Sequence, residues 1–437
     1  MANPLIALVG RPNVGKSTFF NKVAGRKISI TEDRPGVTRD RLYADSEWRG
    51  KHFTMVDTGG IELRSEDIMW REILKQAEVA IETADVILLF TDGREGLTHS
   101  DYDVAEILRR SKKPVILVVN KIDEYSPDKV FEFYSLGLGE PFAVSAEHSS
   151  GIGDVLDEAV KYFPENTEEK TDSLKIAVVG KPNAGKSSLV NKLLGTERSI
   201  VTPLAGTTRD AIDTTFTRNG KNYTLIDTAG IRKKKSVDDD VEYYSNMRAF
   251  DAVRRSDVCL LVVDSAEGLT EQDVKIIGYV HEQGKPSVIL MNKWDLIEKN
   301  THTVNAFEEK LKQDLKFMDY YKSVYISAKT GQRVEKILSA AEEVYAHASF
   351  RVPTGELNDL IGDAVRLNEP PSYLGRRMRV YFSSQVATNP PVFALFVNDE
   401  GLMHFSYERY LENTIRNAYD FSGTPIKIVV REKKDED

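Results

Sequence analysis

Cysteine is almost absent: Cys259 stands alone in 437 residues, so no intrachain disulfide can form and no oxidising compartment is implied. It lies in the apolar run Val258-Cys259-Leu260-Leu261-Val262-Val263, where a small buried hydrophobe is the expected role rather than a nucleophile. Long apolar stretches are missing too, since no run approaches the roughly 18–20 residues that span a bilayer. The opening Met1-Ala2-Asn3-Pro4 has no basic stretch leading into a signal-like segment. Nor is there an excess of positive charge: 59 Lys and Arg against 68 Asp and Glu give −9. That balance excludes a wholly basic nucleic-acid surface and leaves room only for local patches. The expectation is a cytoplasmic monomer without a membrane partner. Its length exceeds one hydrophobic core and suggests about two to four domains.

What the chain does have is a long internal repeat. Gly10-Arg11-Pro12-Asn13-Val14-Gly15-Lys16-Ser17 recurs as Gly180-Lys181-Pro182-Asn183-Ala184-Gly185-Lys186-Ser187, a displacement of 170 residues (180 − 10). At the same displacement Thr38-Arg39-Asp40 recurs as Thr208-Arg209-Asp210, and Asp57-Thr58-Gly59-Gly60-Ile61 as Asp227-Thr228-Ala229-Gly230-Ile231. Further on, Asn120-Lys121-Ile122-Asp123 matches Asn292-Lys293-Trp294-Asp295, and Ser145-Ala146 matches Ser327-Ala328. A period this long means a duplicated domain rather than a solenoid.

Each copy alternates short continuous apolar runs, such as 5–9, 53–56, 86–90, 115–119 and 142–144, with segments of helical spacing such as 100–110. The pattern predicts α/β domains with doubly wound, mostly parallel sheets whose ligands sit at the strand carboxyl ends. The predicted domains are 1–163 and 174–349, joined by an acidic linker at 164–173. A small α+β domain follows at 350–437, read as helix 355–367, strands 377–382 and 392–397, helix 407–419 and strand 426–431.

The repeated motifs carry recognisable chemistry. A glycine-rich loop after a strand lets backbone N–H groups close around phosphates, while the next helix presents its positive end. In this reading residues 10–15 and 180–185 cradle the phosphates, Lys16 and Lys186 reach the β- and γ-phosphates, and Ser17 and Ser187 ligate Mg²⁺. Asp57 and Asp227 end strands and are placed to hold the Mg²⁺ shell, joined by Thr38 and Thr208. The N–H groups of Gly60 and Gly230 sense the γ-phosphate, and its loss releases both loops. Lys16, Thr38 and Gly60, with Lys186, Thr208 and Gly230, are the expected catalytic contacts.

The base is read by Asn-Lys-x-Asp. Asp123 or Asp295 accepts from the ring N–H and exocyclic amine of guanine, a donor pair adenine lacks, so GTP and GDP are expected over adenine nucleotides. Asn120 and Asn292, with Lys121 and Lys293, buttress that loop; Ala146 or Ala328, beside Ser145 or Ser327, offers an N–H to the guanine keto oxygen. Where a Ras-like protein places its water-orienting glutamine, Ile61 and Ile231 stand. An asparagine oxygen at Asn13 or Asn183 can help hold a monovalent cation beside the phosphates and stabilise the transition state. Spacing alone does not separate that role from a loop-turn residue.

These residues resemble the translation-factor-related GTPases with a hydrophobic residue in place of the glutamine. The tandem arrangement is similar to one family among them, the bacterial double-Era-like GTPases (Der, or EngA), over essentially the whole chain. The resemblance implies a KH-like third domain, potassium-stimulated hydrolysis and association with the large ribosomal subunit or its precursor during assembly. No Gly-x-x-Gly loop occurs between 351 and 437, which puts ordinary KH single-strand binding in doubt. Arg376-Arg377-x-Arg379 is either an RNA-phosphate patch or a solvated strand face; Arg232-Lys233-Lys234-Lys235, directly after the second Asp-x-x-Gly, would couple nucleotide state to rRNA affinity. The alternative function is a nucleotide-dependent ribosome-binding scaffold in which only one domain hydrolyses.

Overall fold

The structure, a computed structural model, describes residues 3–24, 43–57, 83–123, 128–163, 173–195, 200–202, 213–227, 241–370, 372–373 and 376–432, with scattered positions between 74 and 81. Thr38, Gly60, Ile61, Thr208, Gly230, Ile231 and the basic run 232–235 lie outside the described residues, as does the linker up to 172. The chain forms two compact units, Met1–Lys170 and Thr171–Asp437.

In the first unit β1 (Leu5–Gly10) is buried at every position, as a strand covered on both faces must be. With β2 (Tyr43–Trp48), β3 (Lys51–Asp57), β4 (Val86–Asp92), β5 (Val115–Asn120) and β6 (Pro141–Ala143) it builds one sheet in the order β2-β3-β1-β4-β5-β6. All pairings are parallel except that of β2 with β3. From β1 the chain winds to β3 on one side and β4 on the other, so the carboxyl end of β1 is the topological switch point where such sheets bind ligands. The helix Lys16–Ala24 leaves that point and buries Phe19, Phe20 and Val23 against Ile6, Leu8, Phe53 and Phe90. The Phe19 and Phe90 rings meet edge-on at 5.1 Å. Full burial of each such ring contributes roughly 1.5–3 kcal/mol, which pins the start of the helix to the sheet.

The second unit repeats this plan with β7 (Ser173–Val179), β8 (Ile200–Thr202), β9 (Thr214–Arg218), β10 (Lys221–Ile226), β11 (Val258–Asp264), β12 (Ser287–Asn292) and β13 (Lys322–Tyr325), in the order β13-β12-β11-β7-β10-β9-β8. Here β9 runs antiparallel to both neighbours. Its first strand starts inside the segment read as linker: Ser173 pairs with Asn222, and its hydroxyl lies 2.7 Å from Thr224 Oγ1. Cys259 is buried in β11, and burial pushes its thiol up to about 11, as suits a core residue.

The remainder of the second unit holds β14 (Ser372–Tyr373), β15 (Arg376–Arg377), β16 (Val380–Ala387), β17 (Val392–Val397) and β18 (Lys427–Glu432). β17 is central, antiparallel to β16 and parallel to β18. Helices Thr354–Leu367 and Phe405–Ala418 bury Leu357, Ile361, Leu411 and Ile415 over Phe393, Leu395 and Val397. The single strand expected at 377–382 is interrupted. The Asn398 amide donates to Arg377 O at 3.1 Å and accepts from Arg379 N at 2.7 Å, taking the backbone groups a continuous ladder would use. This subdomain is tied to the β7–β13 sheet through Gly423, whose N–H donates to Tyr320 O at 2.6 Å while its carbonyl accepts from Ser287 N at 2.8 Å. The Arg416 guanidinium lies over the Tyr320 ring at 4.3 Å.

Candidate nucleotide site

The loop leaving β1 turns tightly enough to receive its own lysine. Lys16 Nζ donates to the carbonyls of Gly10 and Arg11, each at 2.7 Å. The side chain is buried, and burial pushes its ammonium down to about 8, partly countered by the Asp57 charge and reinforced by Arg11. Lys186 repeats the arrangement, donating to Gly180 O and, at 2.7 Å, to Lys181 O. Asn13 and Asn183, both exposed, have φ of +64° and +63°. Asparagine is among the few side chains that tolerate this left-handed conformation, so the turn by itself accounts for the residue type.

Ser17 Oγ donates to Asp57 Oδ2 at 2.6 Å, bringing the two expected Mg²⁺ ligands of the first copy together. Mg²⁺ favours one or two hard oxygen ligands plus substrate phosphates over an all-protein cage, and this pair fits that demand. Among the described residues no group of three or more His, Cys, Asp or Glu could hold a metal ion. In the second copy the Asp227 N–H donates to Asp213 Oδ1 at 2.9 Å, with Asp227 at φ +54°.

Asn120, at the end of β5, ties the glycine-rich loop to the segment at Ser145-Ala146. Its Nδ2 donates to Val14 O at 2.7 Å and its Oδ1 accepts from Ala146 N at 2.9 Å. Asn292 does the same between Ala184 O, 2.8 Å, and Ala328 N, 2.9 Å. The buttress is therefore duplicated atom for atom. It also shows why Gly15 and Gly185 cannot carry a side chain: a Cβ would sit 2.1 Å from Asn120 Nδ2 and 2.2 Å from Asn292 Nδ2, at φ of +93° and +100°. The N–H groups of Ala146 and Ala328, expected at the guanine keto oxygen, here donate to the asparagines, as a buried N–H beside a carboxamide does.

The aspartates expected to read the base, Asp123 and Asp295, follow these asparagines by three positions. Asp123 Oδ1 accepts from Ser145 Oγ at 3.0 Å, and Arg94 pairs with Oδ2; Arg94 first, then Ser145, holds the carboxyl below its usual range. Asp295 is likewise lowered, chiefly by the Ser327 hydroxyl. Its Oδ1 is buried with no hydrogen-bond partner among the described residues, an acceptor facing no donor. Lys121 and Lys293 turn the other way, pairing with Asp92 at 2.6 Å and with Asp264, both from φ near +60° (+67° and +60°).

The motif reading passed over a second duplicated layer. Arg11 is held by Glu95 at 3.0 Å and Asp101 at 3.1 Å, and Lys181 by Glu267, with Asp273 at 3.7 Å. These pairs fasten each phosphate loop to the helix behind it, His99–Arg110 or Glu271–Glu282. The signal lay in the repeat: Asp92, Glu95, Thr98 and Asp101 return as Asp264, Glu267, Thr270 and Asp273, all displaced by 172 (264 − 92). The basic cluster at 376–379 has acidic company, since Arg377 pairs with Glu369 and Arg376 lies 3.9 Å from Asp399.

The family model described as a 50S ribosome-binding GTPase matches residues 5–121 and again 175–293. The model described as the KH-domain-like C-terminal domain of EngA bacterial GTPase enzymes matches 351–431. GTPase Der of Alkaliphilus oremlandii is 54% identical over 440 residues, and GTPase Der of Clostridium tetani 54% over 438, each covering 100% of both chains. Among solved structures, Aquifex aeolicus Era bound to GDP·AlF4⁻ is 20% identical over 59% of this chain and 92% of that one, with a TM-score of 0.30. Sharing more than half its residues from end to end with these relatives, and carrying the guanine-nucleotide fold twice with a KH-like domain behind it, the chain belongs to the GTPase Der family of GTP-hydrolysing enzymes.

Proposed function

We propose that both copies bind GTP with Mg²⁺, hydrolyse it to GDP and phosphate, and use the two states to govern attachment to the large ribosomal subunit or its precursor in the cytoplasm. The observation that carries the nucleotide reading is the duplicated asparagine buttress, which joins a phosphate loop to a base-reading rim in both copies. Residues 10–15 and 180–185 cradle the phosphates, with Lys16 and Lys186 at the β- and γ-phosphates. Ser17, Asp57 and Thr38, and in the second copy Ser187, Asp227 and Thr208, would hold the Mg²⁺, which supplies charge stabilisation at the transferring phosphoryl group.

For the ribosomal partner, the support is the description of the matching family model and the basic run 232–235 beside the second switch element. Co-sedimentation of the full chain with large subunits under GDP, GTP and a non-hydrolysable analogue is the test. Association is expected to differ by nucleotide; equal pelleting in all three would sink the switch reading.

Potassium enters through Asn13 and Asn183. Because both occupy the left-handed region, glycine preserves the turn while removing the oxygen. The Asn183→Gly variant is therefore expected to keep GDP affinity within about two-fold and to lose potassium stimulation of single-turnover hydrolysis in the second domain. Stimulation that persists would assign Asn183 to the turn alone.

A further inference from the structure

The two base-reading aspartates stand in different company. In the first copy both carboxylate oxygens of Asp123 are engaged, Oδ1 by Ser145 and Oδ2 by Arg94, with His148 Nε2 at 3.8 Å. Arg94 projects from the turn after β4, where its own N–H donates to Asp92 Oδ1 at 2.9 Å. The matching residue of the second copy, 172 positions on, is Ala266, whose N–H donates to Asp264 Oδ1 at 3.0 Å. The backbone is thus the same in both copies and only the side chain differs. Among the described residues no arginine pairs with Asp295, which feels only the more distant charges of Lys329 and Lys299, and its Oδ1 has no hydrogen-bond partner there.

Guanine presents two donors, the ring N–H and the exocyclic amine, and needs both oxygens of its aspartate. We propose that Arg94 sets the affinity of the first site by occupying Asp123, so that guanine binding there must exchange an ion pair, whereas the second site accepts the base directly. This rests on Asp123 and Asp295 reading the base. The pair is exposed, with 62% and 36% of the two side chains accessible, so its competition is modest and screened by salt.

The test uses the full chain with the second site disabled by Lys186→Ala, titrated with fluorescent GDP. Arg94→Ala is expected to tighten binding by about two- to five-fold at low salt, the gain shrinking towards none at high salt. In the reverse experiment, with the first site disabled by Lys16→Ala, Ala266→Arg is expected to weaken the second site by a similar factor. Both positions are exposed, so neither change disturbs the core. Unchanged or weaker GDP binding by Arg94→Ala would overturn the proposal. Asp123→Asn titrated with xanthosine diphosphate separates this from the base reading. A gain of xanthosine binding with no Arg94 effect on GDP rejects the competitor alone; no gain rejects Asp123 as the base reader. In the Asp123→Asn chain, Arg94→Ala should leave xanthosine diphosphate affinity unmoved, and a change there would assign Arg94 another role.

Discussion

Asp295→Asn is expected to convert the second site from guanosine to xanthosine diphosphate, lowering the ratio of guanine to xanthine affinity by roughly 10³–10⁵-fold. The direction follows from donors and acceptors. A carboxylate offers two acceptors to guanine's two donors; a carboxamide turns one of them into a donor, which meets the exocyclic amine head-on but complements the second keto oxygen of xanthine. The fold has no stake in the change. Asp295 Oδ1 bonds to nothing among the described residues, and the Ser327 hydroxyl can donate to an amide oxygen as well as to a carboxylate. The second site is the cleaner place for the experiment because no arginine among the described residues pairs with the carboxylate. Titration of both fluorescent diphosphates, with the first site disabled by Lys16→Ala, is the measurement; an unaltered guanosine preference would remove Asp295 from base recognition.

How much of this was legible beforehand depends on distance along the chain. The phosphate loops, the Asn-Lys-x-Asp elements and the alternation of buried strands with helices were readable because each rests on contiguous residues with a fixed mechanical demand, such as the loop turn at Gly15 or the buried strand Leu5–Gly10. Asn120 could be identified as a buttress, yet its partner could not. The Ala146 N–H that meets its carboxamide oxygen lies 26 positions further along the chain, a pairing no local pattern announces. Arg11 and Lys181 were read as part of the phosphate cradle, and only the folded helix brings Asp101 and Asp273 beneath them. Arg94 was invisible for the opposite reason: it belongs to no motif and differs between the copies, so the repeat conceals it. In the C-terminal subdomain the interrupted strand depended on one amide, Asn398, reaching back 21 residues.

Lys16→Ala and Lys186→Ala are each expected to slow single-turnover GTP hydrolysis in their own domain by roughly 10²–10³-fold while sparing the other, the loss that follows removal of one preorganised charge at a developing anion. Lys16 has a second, structural share, since its ammonium closes the loop on the carbonyls of Gly10 and Arg11, and the alanine variant leaves those acceptors without that donor. Lowered nucleotide affinity in that domain should accompany the lowered rate. The protonation of Lys16 gives an independent readout. Nucleotide phosphates favour the charged ammonium, so the bound lysine titrates above the free value of about 8, and binding takes up a proton in that window. First-site affinity is therefore expected to fall as pH rises above about 8, by up to roughly ten-fold per unit. Stability of the nucleotide-free protein runs the other way. The unfolded lysine titrates at 10.5 and the folded one near 8, so the unfolded chain holds more protons between them and stability rises across that interval. Opposite slopes for affinity and stability, both abolished by Lys16→Ala, would tie the titration to this one ammonium. If instead one of the two lysine variants left turnover untouched in both domains, that site would bind without hydrolysing and the chain would be a scaffold with a single enzymatic half.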